Sequence, residues 1–244
     1  MSTIKVLHLI DSGGMYGAER VILTLLEELK YSEYQGVLGC IRERKNEIPR
    51  IALEAEMLGI PVVNFTMRRG LNPFGIRQIR SFIQDNGIKI AHTHGYKPNI
   101  FIGLSFHNKV KAVSTVHGWA KKAAGIKGRA YEYLDVQALK RFDSIIAVSK
   151  AVVRDLRNRG VRESKINIIY NGLKTNDGRK NYSISQVRKE YGFDDSSLVI
   201  GSVGRLAEVK GYKYLIKAMP SVLKEIKNCN LLIAGEGPTR GHLE

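Results

Sequence analysis

Short apolar runs alternate along this chain with segments in which apolar residues recur every three or four positions. A run of about six apolar residues bounded by turn residues is typical of a buried strand, and the wider spacing is typical of a helix with one buried face. Residues 4–10 form the first such run, and the segment that follows has Val21, Ile22, Leu25, Leu26 and Leu29 on one helix face. The pattern predicts an α/β protein.

The alternation continues to residue 172. Further strands are predicted at residues 36–41, 62–65, 88–94, 110–117, 144–149 and 166–170, and helices at 49–58, 73–86, 98–107, 127–141 and 150–159. Strands that alternate with helices favour a parallel sheet with helices on both faces. Residues 1–172 are therefore predicted to form a Rossmann-like, doubly wound parallel sheet.

A second, shorter series follows a polar segment. Residues 173–184 have no apolar periodicity and are interpreted as a linker, after which helices are predicted at 185–191 and 212–227 and strands at 198–203 and 230–234. Pro220 lies within the longer helix and is expected to kink or shorten it. Because so few elements bury little apolar surface, residues 185–244 are expected to be an incomplete second Rossmann-like domain.

Two cations follow the predicted strand at 198–203. The carboxyl end of a strand is the edge at which open α/β sheets bind ligands, and Gly204 permits a sharp turn there. Arg205 and Lys210 then precede a helix N-terminus, and a guanidinium fork beside an ammonium group suits a diphosphate. Taken alone, the pair is equally compatible with two solvated loop cations.

A glycine-rich turn follows the first strand. Gly13 and Gly14 can bring backbone N–H groups close to an anion just before a helix N-terminus. The alternative is a tight turn that requires glycine for its own geometry. The spacing is not the G-x-G-x-x-G pattern of dinucleotide-binding proteins.

Three histidines lie at predicted strand ends. His92 and His94 are two residues apart on one strand and point the same way, so a third ligand would make a metal site. We predict no metal, because no Cys, Asp or Glu constellation accompanies them. His94 is either a structural histidine or one that contacts a ligand. His117 can donate a hydrogen bond to a ligand oxygen, or it can bind the backbone of its own loop.

The composition indicates the class of partner. The net charge of +16 favours anionic partners, and basic clusters around residues 42–45, 68–80 and 121–129 favour an anionic membrane surface among them. Nucleic acid is the weaker alternative because no nucleic-acid-binding motif accompanies the charge. Cys40 and Cys229 have no partner pattern, and no signal peptide or membrane span is predicted, so we expect a cytoplasmic protein, peripheral at the inner face of the membrane.

Taken together, these motifs resemble glycosyltransferase family 4, the group 1 retaining enzymes of the GT-B fold. The resemblance spans nearly the whole chain. It rests on Gly13-Gly14 with Gly17-Ala-Glu-Arg20, His94, Thr115-Val-His-Gly118, Ala147-Val-Ser149, Asn171-Gly172, Val203-Gly-Arg-Leu206, Lys210-Gly211 and Leu232-Ile-Ala-Gly-Glu-Gly-Pro238.

The resemblance implies a function for each candidate residue. In such enzymes the first domain mostly holds the acceptor and the second the nucleotide sugar. Arg205 and Lys210 would bind the donor diphosphate, and the loop with Gly13 and Gly14 would approach the same phosphates. His117 would lie near the transferred sugar as the catalytic candidate, and His94 is the acceptor-side candidate. No metal or other cofactor is implied, because the cations would stabilise the leaving group.

One departure from the family bears on activity. The sequence ends before the family's Glu-(seven residues)-Glu motif, so we expect residues 1–244 alone to transfer sugar poorly. The primary hypothesis is a transferase that uses a glycan or lipid-linked acceptor in cell-surface polysaccharide biosynthesis. The alternative is a non-catalytic module that binds an anionic glycan or membrane surface.

Overall fold

The computed structural model describes residues 3–43, 48–67, 70, 72–105, 110–118, 125–172 and 183–244. The chain divides into two compact units, unit 1 of residues 1–174 and unit 2 of residues 175–244. Most of the predicted linker, 173–184, lies outside the described residues. The predicted basic clusters also fall partly outside them, at residues 44–45, 68–69 and 121–122.

Unit 1 contains a seven-stranded sheet in which every neighbouring pair of strands is parallel. Its strands β1–β7 are Ile4–Ile10, Tyr34–Arg42, Val62–Thr66, Ile90–His94, Lys111–Val116, Ser144–Ala147 and Ile166–Ile168. Its described α-helices α1–α6 are Gly17–Leu29, Arg50–Met57, Pro73–Asp85, Tyr96–Ser105, Gly125–Leu139 and Lys150–Asn158. The alternation confirms the predicted α/β, Rossmann-like parallel sheet.

The strand order in unit 1 is β3-β2-β1-β4-β5-β6-β7. The chain moves outward from β1 to β3 and then crosses to β4 on the other side of β1, so the order reverses between β1 and β4. Ligands of open parallel sheets bind outside the carboxyl ends of the strands at such a reversal. The topology therefore directs attention to the residues that follow β1 and β4.

The core of unit 1 explains why these segments form strands and helices. Leu7 and Leu9 of β1 and Ala91 of β4 are completely buried, as expected for central strands covered on both faces. Ile22 and Leu26 of α1 are also buried, in agreement with the predicted apolar face of that helix. Burial of this apolar surface is the main force that holds the unit together.

Unit 2 has a smaller sheet, with two parallel strands, β8 at Leu198–Val203 and β9 at Cys229–Ala234. Its described α-helices α7–α9 are Ile184–Glu190, Tyr212–Glu225 and Arg240–Leu243. Ser183 caps α7, with its hydroxyl accepting a hydrogen bond from the backbone N–H of Gln186. Leu206, Tyr212 and Cys229 are its buried apolar residues within the described part of the chain.

Several predicted elements differ from those observed by about two residues at an end, and β7 and α8 are the differences that concern a specific prediction. The last strand of unit 1 ends at Ile168 rather than residue 170, although Ile169 still donates its backbone N–H to Ala147 O at 3.1 Å. Helix α8 continues past Pro220 and ends at Glu225, so the proline does not end the helix. Proline has no N–H, which removes one backbone bond from the helix, but the remaining turns still form.

Candidate functional site

The loop after β1 is held in place by a buried carboxylate. Glu19, in the first turn of α1, is only 5% exposed. Its Oε2 accepts a hydrogen bond from the backbone N–H of Tyr16 at 3.0 Å, and its Oε1 lies 2.8 Å from the hydroxyl of Ser12. The Ser12 hydroxyl also accepts from the backbone N–H of Gly14 at 3.3 Å. Glu19 thus fixes both ends of the glycine-rich turn.

The two glycines of this turn differ in their surroundings. A Cβ atom on Gly14 would lie 2.9 Å from the ring of Tyr16, so a side chain there would displace that ring. A Cβ atom on Gly13 would have no atom within 4 Å. Neighbouring atoms therefore explain glycine at position 14, whereas the space at position 13 is free for a ligand.

A cleft of about 310 Å³ opens beside this turn. It lies between the carboxyl ends of β1 and β2, and its lining includes Gly13, Gly14, Arg42 and Arg50. At this edge, Lys97 Nζ lies 3.0 Å from Asp11 Oδ2 and 3.0 Å from Glu43 Oε1. Burial lowers the pKa of Lys97, but the hydrogen bonds and charges of the two carboxylates outweigh burial and raise it.

Four histidines lie on one face of the sheet near the reversal between β1 and β4. His8 is directly opposite His92 in the strand register, and His94 follows two residues later. His8 Nδ1 lies 3.4 Å from His94 Nε2, and His92 Nε2 lies 2.7 Å from the hydroxyl of Thr115. The ring centroids of His94 and His117 are 6.1 Å apart.

These imidazoles are neutral near pH 7. Burial, together with a smaller contribution from the charge of His117, lowers the pKa of His92 to about 4. Burial also lowers the pKa values of His8 and His94 well below the usual range, with His92 as an additional cause for both. A neutral imidazole presents one N–H donor and one lone pair.

His117 follows β5 and is less buried than the other three. Burial lowers its pKa, and the negative charge of Glu19 opposes that effect only in part. Its Nε2 atom is buried and has no hydrogen-bond partner within the described part of the chain. A ligand hydroxyl or carbonyl could therefore form a hydrogen bond with this ring without displacing a protein partner.

A buried polar network lies next to the histidines. Asn99 Oδ1 accepts hydrogen bonds from the hydroxyls of Thr93 at 2.5 Å and Ser114 at 2.8 Å. Asn99 Nδ2 donates to Asp135 Oδ1 at 2.7 Å. The network ties β4 and β5 to α4 and α5, and so fixes the two strands that carry His94 and His117.

The candidate cations of unit 2 are solvent-exposed. Arg205 follows β8, and Lys210 ends a short 3-10 helix, Glu208–Lys210, on the loop that leads to α8. Gly211 adopts the left-handed conformation, with φ of 69°, directly before α8. This conformation favours glycine, and it turns the chain so that α8 begins immediately after the cations.

The structure brings some of the predicted residues together. His94 and His117 lie in one cluster at the carboxyl edge of unit 1, and Gly13 and Gly14 line a cleft at the same edge. Arg205 and Lys210 share one loop of unit 2. The sequence analysis assigned no function to His8, Glu19 or Lys97, although Glu19 lies within the motif at residues 17–20. A polar residue inside an apolar run was the available signal for His8, because such a residue must find partners when buried.

Comparison with known families identifies two matching models. The model described as Glycosyltransferase Family 4 matches residues 15–177, and the model described as Glycosyl transferases group 1 matches residues 183–244. The first covers well over half of the chain. None of the helices in the described part of the chain combines the length and apolar character that a bilayer-spanning segment needs.

Individual relatives agree with the family models. An uncharacterized glycosyltransferase, MJ1607 of Methanocaldococcus jannaschii, is 38% identical over 104 residues, which are 41% of this chain and 26% of the relative. The O-antigen biosynthesis glycosyltransferase WclY of Escherichia coli is 27% identical over 162 residues, 63% of this chain and 44% of the relative. The crystal structure of Anabaena Alr3699/HepE in complex with UDP superposes on this chain with a TM-score of 0.76 and 19% sequence identity.

That superposition covers 96% of this chain and 62% of the Anabaena chain. The matched segments of the two curated relatives cover less than half of each relative. The similarity to the Anabaena structure establishes the shared fold.

Proposed function

Because the chain belongs to glycosyltransferase family 4, we propose that it is part of a retaining glycosyltransferase with a nucleotide-sugar donor. The acceptor in this proposal is a glycan or a lipid-linked saccharide of cell-surface polysaccharide biosynthesis. The similarity to WclY, an O-antigen biosynthesis glycosyltransferase, supports that class of acceptor. The UDP complex of the Anabaena protein supports a uridine diphosphate sugar as the first donor to test.

The observation that carries the proposal is the loop between β8 and α8. Arg205 and Lys210 are both exposed there, at the carboxyl end of a parallel strand and just before a helix N-terminus. Backbone N–H groups at a helix N-terminus and two cations favour a diphosphate. When the bond between sugar and diphosphate breaks, negative charge develops on the leaving phosphate, and fixed cations stabilise it.

In unit 1 we propose two contacts with the substrates. Backbone N–H groups of Gly13 and Gly14 contact the donor phosphates, and His117 donates a hydrogen bond to the transferred sugar. His94 is our candidate for a residue on the acceptor side of the site. The unpartnered Nε2 of His117 and the free space at Gly13 support these assignments.

We propose that transfer requires no metal, since Arg205 and Lys210 supply positive charge to the leaving diphosphate. The chain's charge of +16 also supports peripheral contact with an anionic membrane surface, where a lipid-linked acceptor would be found.

Calorimetric titration of the chain with UDP, GDP and ADP tests the donor site. We expect UDP to bind, and Arg205→Ala and Lys210→Ala each to weaken its affinity about tenfold or more, because each removes one charge-assisted contact. Lys224→Ala is the matched control, because Lys224 is an exposed lysine in the last turn of α8. Equal affinities in all three variants would exclude this loop as the diphosphate site.

A transfer assay on the full-length transferase of which we propose this chain is part tests the stereochemistry of the reaction and the function of His117. We expect the anomeric configuration of the product, measured by NMR, to match that of the donor. His117→Ala is expected to reduce turnover more than donor affinity, because its hydrogen bond is made to the reacting sugar. An inverted product would contradict the proposed retention.

A further inference from the structure

Three buried imidazoles in unit 1 face one another between β1 and β4, where the strand order reverses. His8, His92 and His94 each offer one ring nitrogen, and these nitrogens all lie within 4.8 Å of one another. His8 and His94 are 1% and 3% exposed, and His92 is 6% exposed. The third ligand that His92 and His94 would need is therefore present, on the neighbouring strand. We propose that these three residues form a binding site for a divalent transition-metal ion such as Zn²⁺.

The spacing of the nitrogens suits a tetrahedral ion. With Zn–N bonds of about 2.0–2.1 Å, two nitrogens on a tetrahedral zinc lie roughly 3.3–3.4 Å apart. His8 Nδ1 and His94 Nε2 are 3.4 Å apart. The three nitrogens of the cluster lie within 4.8 Å of one another, so side-chain rotation has to bring the third nitrogen closer when the ion binds. A tetrahedral ion held by three imidazoles takes a fourth ligand such as water.

The hydrogen bonds of the cluster distinguish the inner from the outer ring nitrogens. His8 Nε2 and His94 Nδ1 are buried and have no hydrogen-bond partner within the described part of the chain. These two atoms are the outer ring nitrogens of the pair. The inner nitrogens, His8 Nδ1 and His94 Nε2, share one long hydrogen bond of 3.4 Å, and an ion between the rings would replace that single bond with two coordinate bonds. His92 Nε2 already contacts the Thr115 hydroxyl at 2.7 Å, so its Nδ1 is available to the ion. A hydrogen bond from the outer nitrogen of a ligating histidine orients the ring in many metal sites.

The type of ligand selects the type of ion. Imidazole nitrogen suits zinc, copper, nickel and cobalt, whereas magnesium and calcium prefer oxygen ligands. The cluster contains no carboxylate among its three members. This inference does not depend on the proposed transfer reaction, because the ion would be held by unit 1 alone and not by donor phosphates.

Metal titration of the purified, metal-stripped chain tests the inference. We expect one Zn²⁺ per chain with a Kd at or below about 1 μM, measured by competition with a chromophoric chelator. His94→Gln and His8→Gln should each weaken binding at least about 100-fold, since each leaves only two of the three ligands. His242→Gln is the matched control because His242 lies on α9 of unit 2, and its affinity should be unchanged.

Cobalt provides a test that needs no variant. Co²⁺ bound to the unaltered chain should give the visible absorption of a tetrahedral ion, and an equivalent of Zn²⁺ should abolish it. A Co²⁺ spectrum identical to that of the aqueous ion would overturn the inference, and the three imidazoles would then be neutral core groups. Zinc affinity lost in His242→Gln but retained in His94→Gln would overturn it equally, by placing the ion on the surface.

Discussion

Units 1 and 2 are built from the same kind of strand–loop–helix elements, but the strand residues are buried to different extents in the two units. Leu7 and Leu9 of β1 are inaccessible to solvent, whereas Val203 at the end of β8 is 86% exposed. The candidate functional residues of the two units differ in solvent exposure in the same way. His94 of unit 1 is buried among other imidazoles, and Arg205 and Lys210 of unit 2 are exposed to solvent.

The difference indicates what each unit can contribute. The buried imidazoles of unit 1 are neutral and fixed by their neighbours, so they suit hydrogen bonds of defined direction or metal coordination. Exposed cations in unit 2 keep their charge without a desolvation cost, so they suit an anionic ligand that arrives from solvent. Stability should also come mostly from unit 1, since burial of apolar area supplies it.

The largest expected effect is a cavity in unit 1. Phe101 of α4 is completely buried, whereas Phe74 of α3 is 65% exposed. We expect Phe101→Ala to reduce the free energy of unfolding by about 3–5 kcal/mol, and Phe74→Ala to change it by less than about 0.5 kcal/mol. Urea denaturation followed by circular dichroism measures both. Similar losses in the two variants would show that burial does not govern the stability of unit 1.

Amide hydrogen exchange compares the two units directly. We expect the amides of β1 and β4 to be more protected than those of β8 and β9 by roughly 3 kcal/mol, about a hundredfold in exchange rate. The physical reason is that the strands of unit 2 open without exposing much buried apolar surface. Equal protection in the two sheets would contradict the comparison, since it would require both units to unfold together.

A close helix contact predicts a smaller effect in unit 1. A Cβ atom on Gly103 of α4 would lie 2.7 Å from the backbone oxygen of Ala138 in α5, whereas one on Gly17 of α1 would have no atom within 4 Å. Gly103→Ala should cost about 1–3 kcal/mol because α4 and α5 must separate. Gly17→Ala should be neutral or slightly stabilising, because alanine favours a helix. Thermal denaturation of both variants measures the contrast, and a stabilised Gly103→Ala would disprove the close packing.

Much of the fold could be predicted because it depends on local patterns. Apolar runs and three-to-four spacing predicted every strand of the unit 1 sheet, and the alternation predicted that the strands run parallel. The short β7 and the continuous α8 were harder, since strand ends and helices with an internal proline depend on neighbours that spacing does not reveal.

The candidate site could be predicted only in part. Glycines, cations and histidines at strand ends were visible in the sequence, because such ends meet at one edge of the sheet. The contact between His8 and His94 was not visible, since it depends on a strand register between residues 86 positions apart. Glu19 and Lys97 were missed for a similar reason. Each contacts a loop at the end of a strand, and the pattern of charges along the sequence does not predict the conformation of that loop.

The smallest expected effect concerns one carboxylate in each unit. Asp143 of unit 1 accepts hydrogen bonds from the backbone N–H of Ala112 at 2.9 Å and from Lys111 Nζ at 3.1 Å. Burial raises the pKa of Asp143, but these bonds and the nearby lysine charges outweigh burial and lower it below 3.8. Glu208 of unit 2 forms an exposed ion pair with Lys213.

A lowered pKa means that the charged form of Asp143 stabilises the folded state above the unfolded-state pKa, and that this contribution is lost as pH falls through the folded-state pKa. Asp143→Asn should therefore cost up to about 1 kcal/mol at pH 7, and the difference from the unsubstituted chain should shrink below about pH 3.8. Glu208→Gln should leave the free energy of unfolding unchanged both at pH 7 and at pH 2.5. If the difference in free energy of unfolding between Asp143→Asn and the unsubstituted chain stays constant from pH 7 to pH 2.5, the carboxylate charge contributes nothing to stability. Surface carboxylates would then have the same negligible effect on stability in both units.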